Sequence, residues 1–210
     1  MKHLQMGMGR LRFRMFFTLT GIFISTILLV SCSAEKKPQI AGLLNIDSIL
    51  QAHIRYLIRE RATIHKKAVL NGVEQLTTVT PKDSADWNEE LAIFFELSAI
   101  NKPSSKGTYM VDESADNKSN LTVKSFVTTE DLPVKYLKVY YYKSISEIRK
   151  IEAQYREANA LYSSTRFLIM EFENVYGKPL LTSYSITGGQ KMFLDDSVEY
   201  NIAARVSLKK

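Results

Sequence analysis

Asn71-Gly72 stands between two runs, 64–70 and 73–79, that are rich in β-branched and apolar residues. Asn-Gly supplies both positive-φ positions of a type I′ turn, the connection whose twist matches that of its flanking strands. The dipeptide therefore commits the chain to a tight antiparallel hairpin, with Leu70 opposite Val73 and Ile64 opposite Val79 on one face. Such a hairpin is marginal in water until further strands or a helix cover its apolar side. The rest of the chain supplies both.

Upstream, residues 45–61 predict an amphipathic helix, because Ile46, Ile49, Leu50, His53, Ile54, Leu57 and Ile58 recur at steps of three and four. Asn45 is its expected cap, and Leu44 with Ile49 has the spacing of a hydrophobic staple. A second helix is expected over 85–101, with Asp86 and Glu89 at capping-box spacing and Trp87, Leu91, Phe94, Phe95 and Ser98 turned inward. Lys102-Pro103 stops it, since the residue before proline is biased to extended geometry.

Beyond Pro103 the patterning is that of strands. Short strands are expected at 109–111 and 121–126 around a polar loop, 112–120. Residues 135–143 are aromatic on both faces, and a further strand starts at Ile148. Another runs over 162–172 to a turn at 174–177, followed by 179–187. Val198, Tyr200, Ile202, Ala204 and Val206 then alternate with polar or small residues. Thr187-Gly188-Gly189-Gln190 reads as a tight turn or bulge, since the full glycine pattern of a phosphate loop and its following helix are missing. The expected fold class is α+β: two helices packed on one face of a curved antiparallel β-sheet meander.

The N-terminus constrains location. Residues 1–14 carry Lys2, Arg10, Arg12 and Arg14 with no acid, and an apolar run of 16 residues follows at 15–30. A basic segment, an apolar segment and a small residue make a secretory signal. An uncleaved transmembrane helix is the alternative, but the run falls short of the roughly 20 residues that a span needs. The run closes in Leu29-Val30-Ser31-Cys32, which resembles the lipobox of bacterial lipoproteins. That resemblance implies cleavage before Cys32 and acylation of its thiol, which also accounts for a single cysteine in an oxidising compartment. Several acyl chains at ~0.8 kcal/mol per buried methylene anchor stably. Ser33 in the position after the cysteine suggests the outer membrane.

The expected organisation is a signal peptide at 1–31, a lipidated cysteine and tether at 32–43, and one periplasm-facing α+β domain at 44–210. Ten tether residues at ~3.5 Å each keep that domain within about 35 Å of the bilayer. Four of the 28 Lys and Arg fall in the removed segment, so a formal +6 becomes +2 in the remaining 179 residues. Nucleic-acid binding thereby loses its main support. That length is enough to bury a core without disulfides.

Taken in order, the lipobox, the amphipathic helix, the hairpin Lys66-Lys67-Ala68-Val69-Leu70-Asn71-Gly72, the segment Trp87-Asn88-Glu89-Glu90-Leu91-Ala92-Ile93-Phe94 and the stop Ile100-Asn101-Lys102-Pro103 are similar to a family of uncharacterised envelope lipoproteins from Gram-negative bacteria. The resemblance spans most of the mature chain. It implies an envelope location and a single domain, and it lends no catalytic residues. The chain departs from the family at Ser104-Ser105, where an aromatic residue is expected.

Catalytic patterns are sparse. After cleavage only His53 and His65 remain, without an H-E-x-x-H or C-x-x-C pattern, so no metal or other cofactor is expected. His53 falls on the apolar stripe of the first helix and reads as a core or boundary residue, and His65 reads as a surface residue of a strand. The carboxylate pairs Glu89-Glu90 and Asp195-Asp196 read as a first-turn helix pair and a turn pair. There is no G-x-S-x-G elbow, and no catalytic residue is assigned. Tyr136, Tyr140 and Tyr142, facing Trp87 and Phe94, are the candidate ligand-binding residues, because they would line an apolar concavity between sheet and helices. The leading expectation is a non-enzymatic binding or structural module of the cell envelope, held to the membrane by lipid on Cys32 and meeting another envelope protein. A carrier or sensor of a lipid or other apolar ligand is the alternative. A hydrolase with an unrecognised Ser-His-Asp site is third, since triad members need no proximity in sequence.

Overall fold

A computed structural model describes residues 44–175, 177–193 and 196–208. The chain divides into Met1–Gln39 and Ile40–Lys210, and all described residues belong to the second unit. Cys32, the signal region and the tether lie outside them.

Helix α1 spans Ile46–Arg59, and the Asn45 side chain caps it by accepting from the Ser48 N–H at 2.9 Å. Ile46, Leu50, Ile54 and Leu57 are fully buried, which stabilises the fold by roughly 1.5–3 kcal/mol per side chain. Strands β1 (Thr63–Leu70) and β2 (Val73–Val79) form the expected hairpin in the expected register, Leu70 with Val73 and Ile64 with Val79. Asn71 and Gly72 take the positive φ values that the turn demands, 46° and 84°.

The second helix is broken into three pieces: α2 (Ser84–Glu90), α3 (Ala92–Phe95) and a 3₁₀ helix (Glu96–Asn101). Asp83, not Asp86, is the cap, accepting from the N–H groups of Ala85 and Asp86. The inward residues are Trp87, Leu91, Phe94, Leu97 and Ile100, whereas Phe95 and Ser98 are only half-buried. From Leu91 onward the buried positions recur every three residues. That is the period of a 3₁₀ helix, and a continuous α-helix would have carried them around its axis. Lys102 is extended ahead of Pro103 as expected (φ −62°, ψ 148°).

The remaining strands are β3 (Met110–Ala115), β4 (Thr122–Val127), β5 (Val134–Tyr141), β6 (Ile148–Ala158), β7 (Tyr162–Val175), β8 (Lys178–Met192) and β9 (Val198–Ser207). Two expectations need correction. Residues 112–115 belong to β3 and not to a loop, because an edge strand exposed on both faces tolerates polar side chains. Thr187 to Gln190 lie inside β8, with Gly188 paired to Arg166 on one side and to Tyr200 on the other. Gly188 is there for close strand approach and not for a turn, since a Cβ would collide with the backbone oxygen of Thr165.

All nine strands form one antiparallel sheet in the order β2-β1-β9-β8-β7-β6-β5-β4-β3. The meander therefore closes onto the early hairpin through β9, which inserts between β8 and β1. The fold is α+β but mainly sheet, an open nine-stranded antiparallel sheet with three helices among the described residues. Alternate strand residues such as Leu137, Val139, Ile151, Leu168, Met170 and Leu181 share one core with Leu50, Ile54, Leu57, Trp87, Phe94 and Ile100 of the helical segments.

Candidate functional site

The pairing registers arrange the core-facing side chains in rows across the sheet. One row reads Ala68, Ile202, Ile186, Leu168, Ala153, Leu137, Phe126 from β1 to β4. Leu168, Ala153, Leu137 and Phe126 are fully buried, while Ile186, Ile202 and Ala68 in the same row are only half-buried. The next row reads Val73, Leu70, Tyr200, Gly188, Arg166, with Val73 73% and Leu70 54% exposed. Cover over the core-facing side thus fails toward β8, β9, β1 and β2, leaving an apolar strip there. Exposed apolar surface of this kind marks an interaction site when it is contiguous.

Polar groups border the strip. Arg166 donates from Nε to the Tyr200 hydroxyl at 3.1 Å, and its guanidinium carbon lies 5.8 Å from the centre of the Tyr155 ring. Burial raises the Tyr155 pKa, with the nearby carboxylate of Glu96 adding to the effect. Ser164, one row further, is 2% exposed, and its Oγ has no hydrogen-bond partner among the described residues. A buried unsatisfied hydroxyl costs roughly 1–3 kcal/mol.

On the other border, Lys66 of β1 and Tyr184 of β8 converge on Glu90. Lys66 Nζ lies 2.7 Å from Glu90 Oε1 and 2.9 Å from Oε2, and the Tyr184 hydroxyl donates to Oε1. Burial, then the Glu90 carboxylate, pushes the Tyr184 hydroxyl far above its ordinary pKa. A tyrosine held protonated in this way fixes the end of α2 to the sheet and is a poor proton-transfer group. Glu90 is thus the last residue of α2 and not part of its first turn, and Lys66 offsets its unfavourable position relative to the helix dipole. Glu89, its neighbour, is exposed.

The five residues expected to line a ligand site do not share a surface. Trp87 and Phe94 are fully buried in the core, and Phe94 meets Tyr184 edge-on at 5.8 Å. Tyr136 and Tyr140 project from the opposite face of β5, because strand alternation gives Leu137, Val139 and Tyr141 the core side. There Lys138 sits 5.5 Å from the Tyr136 ring centre and Lys150 sits 5.1 Å from that of Tyr140, as cation–π pairs. Tyr142 lies past the strand end, 36% exposed beside Lys143. Cys32 lies outside the described residues, as does Asp195 of the second carboxylate pair.

His53 is buried with its ring centre 4.6 Å from that of Phe172, and desolvation lowers its pKa from 6.5 to about 4. It borders an open groove of about 610 Å³ that Arg55, Tyr56, Ile145 and Lys178 also line. His65 faces away from the core between Thr78 and Ser207, 3.2 Å from the hydroxyl of each. It lines a second open groove of about 670 Å³, on that face, with Lys67, Leu76, Ile169 and Arg205. Among the described residues no three His, Cys, Asp or Glu side chains cluster as metal ligands. No described helix is long and apolar enough to cross a membrane.

Lys66, Tyr184, Arg166 and Tyr200 were not singled out from the sequence. For Lys66 a signal existed: the hairpin register puts it on the same face as Ile64, Ala68 and Leu70, a lone cation on an apolar side. Set against known proteins, the chain matches no family model, no curated protein and no solved structure.

Proposed function

We propose that this chain is a membrane-anchored lipoprotein of the cell envelope and that its α+β domain is a non-catalytic binding module. On this reading residues 1–31 are removed, Cys32 carries the lipid, 32–43 is the tether, and the domain faces the periplasm from the outer membrane. On this reading the helical segments cover one face of the antiparallel sheet and leave part of that face to a partner. The observation that carries the binding role is the strip Leu70, Val73, Ile186, Tyr200 and Ile202, which continues the core-facing side beyond its cover. Another envelope protein docks there by covering that apolar surface, while the helix-covered half, filled by Trp87, Phe94 and Leu137, supplies a rigid base.

A photoreactive amino acid at Leu70 of the full-length chain, in its host's envelope, tests the reading. A protein adduct is expected at Leu70 and not at Arg205 on the opposite face. No adduct at Leu70, or equal adducts at both positions, overturns it. The carrier reading is favoured by Arg166, Tyr200 and the unpartnered Ser164 hydroxyl, which offer a polar head group a place beside the strip. It predicts that the Leu70 adduct is an extractable lipid. The anchor has its own test: Cys32→Ala leaves an uncleaved, unlipidated precursor, seen as a larger mass without acyl chains. Processing that survives the substitution sinks the lipobox assignment.

A further inference from the structure

We propose that β2 is a pairing edge whose partner is β2 of a second copy of this chain, joined antiparallel about Leu76. Among the described residues β2 ends the sheet, all seven of its residues are exposed, and its register with β1 is unbroken by any bulge. Natural edge strands are blunted by charged side chains, above all lysine, by proline or by bulges, and Val73–Val79 (VEQLTTV) has no lysine, proline or bulge and a single charge, Glu74. Its outer row of backbone groups is therefore a template for another strand.

The sequence of the edge indicates which strand fits. VEQLTTV reads apolar-polar-polar-apolar-polar-polar-apolar in both directions. Pairing about Leu76 sets Val73 against Val79, Glu74 against Thr78, Gln75 against Thr77, and Leu76 against its own copy. Every cross-strand pair then matches in character, and apolar side chains directly opposed stabilise an antiparallel ladder. The two Glu74 side chains fall four positions apart, about 14 Å at 3.4 Å per residue, so no like charges oppose. Each Glu74 is moreover already paired with Lys67 of its own hairpin at 2.6 Å. A two-fold axis normal to the sheet keeps faces aligned, so Val73 and Val79 extend the core-facing strip across the junction while the Leu76 pair, each side chain 73% exposed in a single chain, becomes covered.

The opposite edge provides an internal comparison. β3 (MVDESA) is also exposed, but pairing it with itself about its centre with faces aligned sets Asp112 or Glu113 against its own copy. Like charges directly opposed are destabilising, so those central registers are disfavoured there, even with Glu113 paired to Lys124 at 3.3 Å.

Sedimentation of the full chain in detergent and a cysteine walk along β2 test the proposal. The wild-type chain is expected to sediment as a dimer, and Leu76→Cys to oxidise to a covalent dimer. Glu74→Cys and Thr78→Cys are expected to link only when the two variants are mixed. Leu76→Lys, at an exposed position that leaves the fold and its circular dichroism unchanged, is expected to abolish the dimer. A chain monomeric at every concentration, a dimer that survives Leu76→Lys, or a Leu76→Cys link to a different protein overturns it.

Discussion

Lys66 and His53 show what burial does to single ionisable groups in this domain. Lys66 is held at the sheet by Glu90, and each side chain is largely shielded from water. Glu90→Gln is expected to cost about 2 kcal/mol in chemical denaturation, because it leaves the ammonium beneath α2 without its counter-ion. Lys66→Met combined with Glu90→Gln should recover part of that loss, and strict additivity of the single variants would show that the pair is not coupled. His53 acts in the opposite sense. Its folded pKa of about 4 lies below the ordinary 6.5, so the folded chain binds fewer protons than the unfolded chain between those values. Its contribution is therefore complete above pH 6.5 and is lost as the pH falls toward 4, by about 3 kcal/mol. Urea unfolding at pH 7 and pH 4 should show a smaller drop for His53→Gln than for the wild type, and equal drops would place the histidine in water. His53 was read in the sequence as a polar position on an apolar face, whereas Lys66, though the hairpin register implied the same, was not singled out. Their partners were not visible there, because Glu90 and Phe172 arrive from other elements.

At the scale of elements, local signals fared best where a turn or cap dictates geometry. The Asn71-Gly72 hairpin has the register its turn demands, and α1 begins at Asn45 as its stripe and cap require. The second helix was legible as helical, but its narrowing to a 3₁₀ spiral was not. The three-residue spacing of Leu91, Phe94, Leu97 and Ile100 carried the signal, but an α-helical reading turned Phe95 and Ser98 inward in place of Leu97 and Ile100. Gly188 and Gly189 were misread for a related reason. Paired glycines ordinarily signal a turn, whereas here two neighbouring strands approach one strand closely. Gly188→Ala should therefore destabilise by about 2 kcal/mol, since the added methyl meets the Thr165 backbone and lies 3.1 Å from the Tyr200 hydroxyl. A neutral result by thermal denaturation would show that the strands can part at no cost. The aromatic strand β5 was recognised as a strand, but the face given to its tyrosines was wrong. A register shift between Val134 and Tyr136 and the burial of Tyr141 leave Tyr136 and Tyr140 on the opposite side.

For the molecule as a whole, the expected α+β class holds, with the sheet dominant and its helices few. The antiparallel meander was legible from alternation in β6, β7 and β9. The closing pairing of β9 with β1 was not, because it joins Ser207 to Thr63 across 144 positions and alternation carries no address for so distant a partner. The strip proposed as a docking surface depends on that same pairing, since Tyr200 and Ile202 of β9 stand beside Leu70 and Ala68 of β1. Deleting residues 198–210 should do more than remove one strand. It separates the hairpin from the meander, and the product is expected to lose cooperative unfolding and to become sensitive to protease at 63–79. A truncated chain that still melts in one sharp transition would mean the two halves are independent.

The position of β9 also sets a schedule. The first hairpin emerges early from any ribosome or translocation channel, yet the strand that covers its inner edge is the last to arrive. Until then residues 63–70 present an open flank at the same time as β2 presents the other. A chain with such long-range closure folds slowly and only after β9 has emerged. Throughout that interval the nascent hairpin is a sticky intermediate, so the demand for a holding chaperone falls on the period before β9 pairs and not on the finished domain.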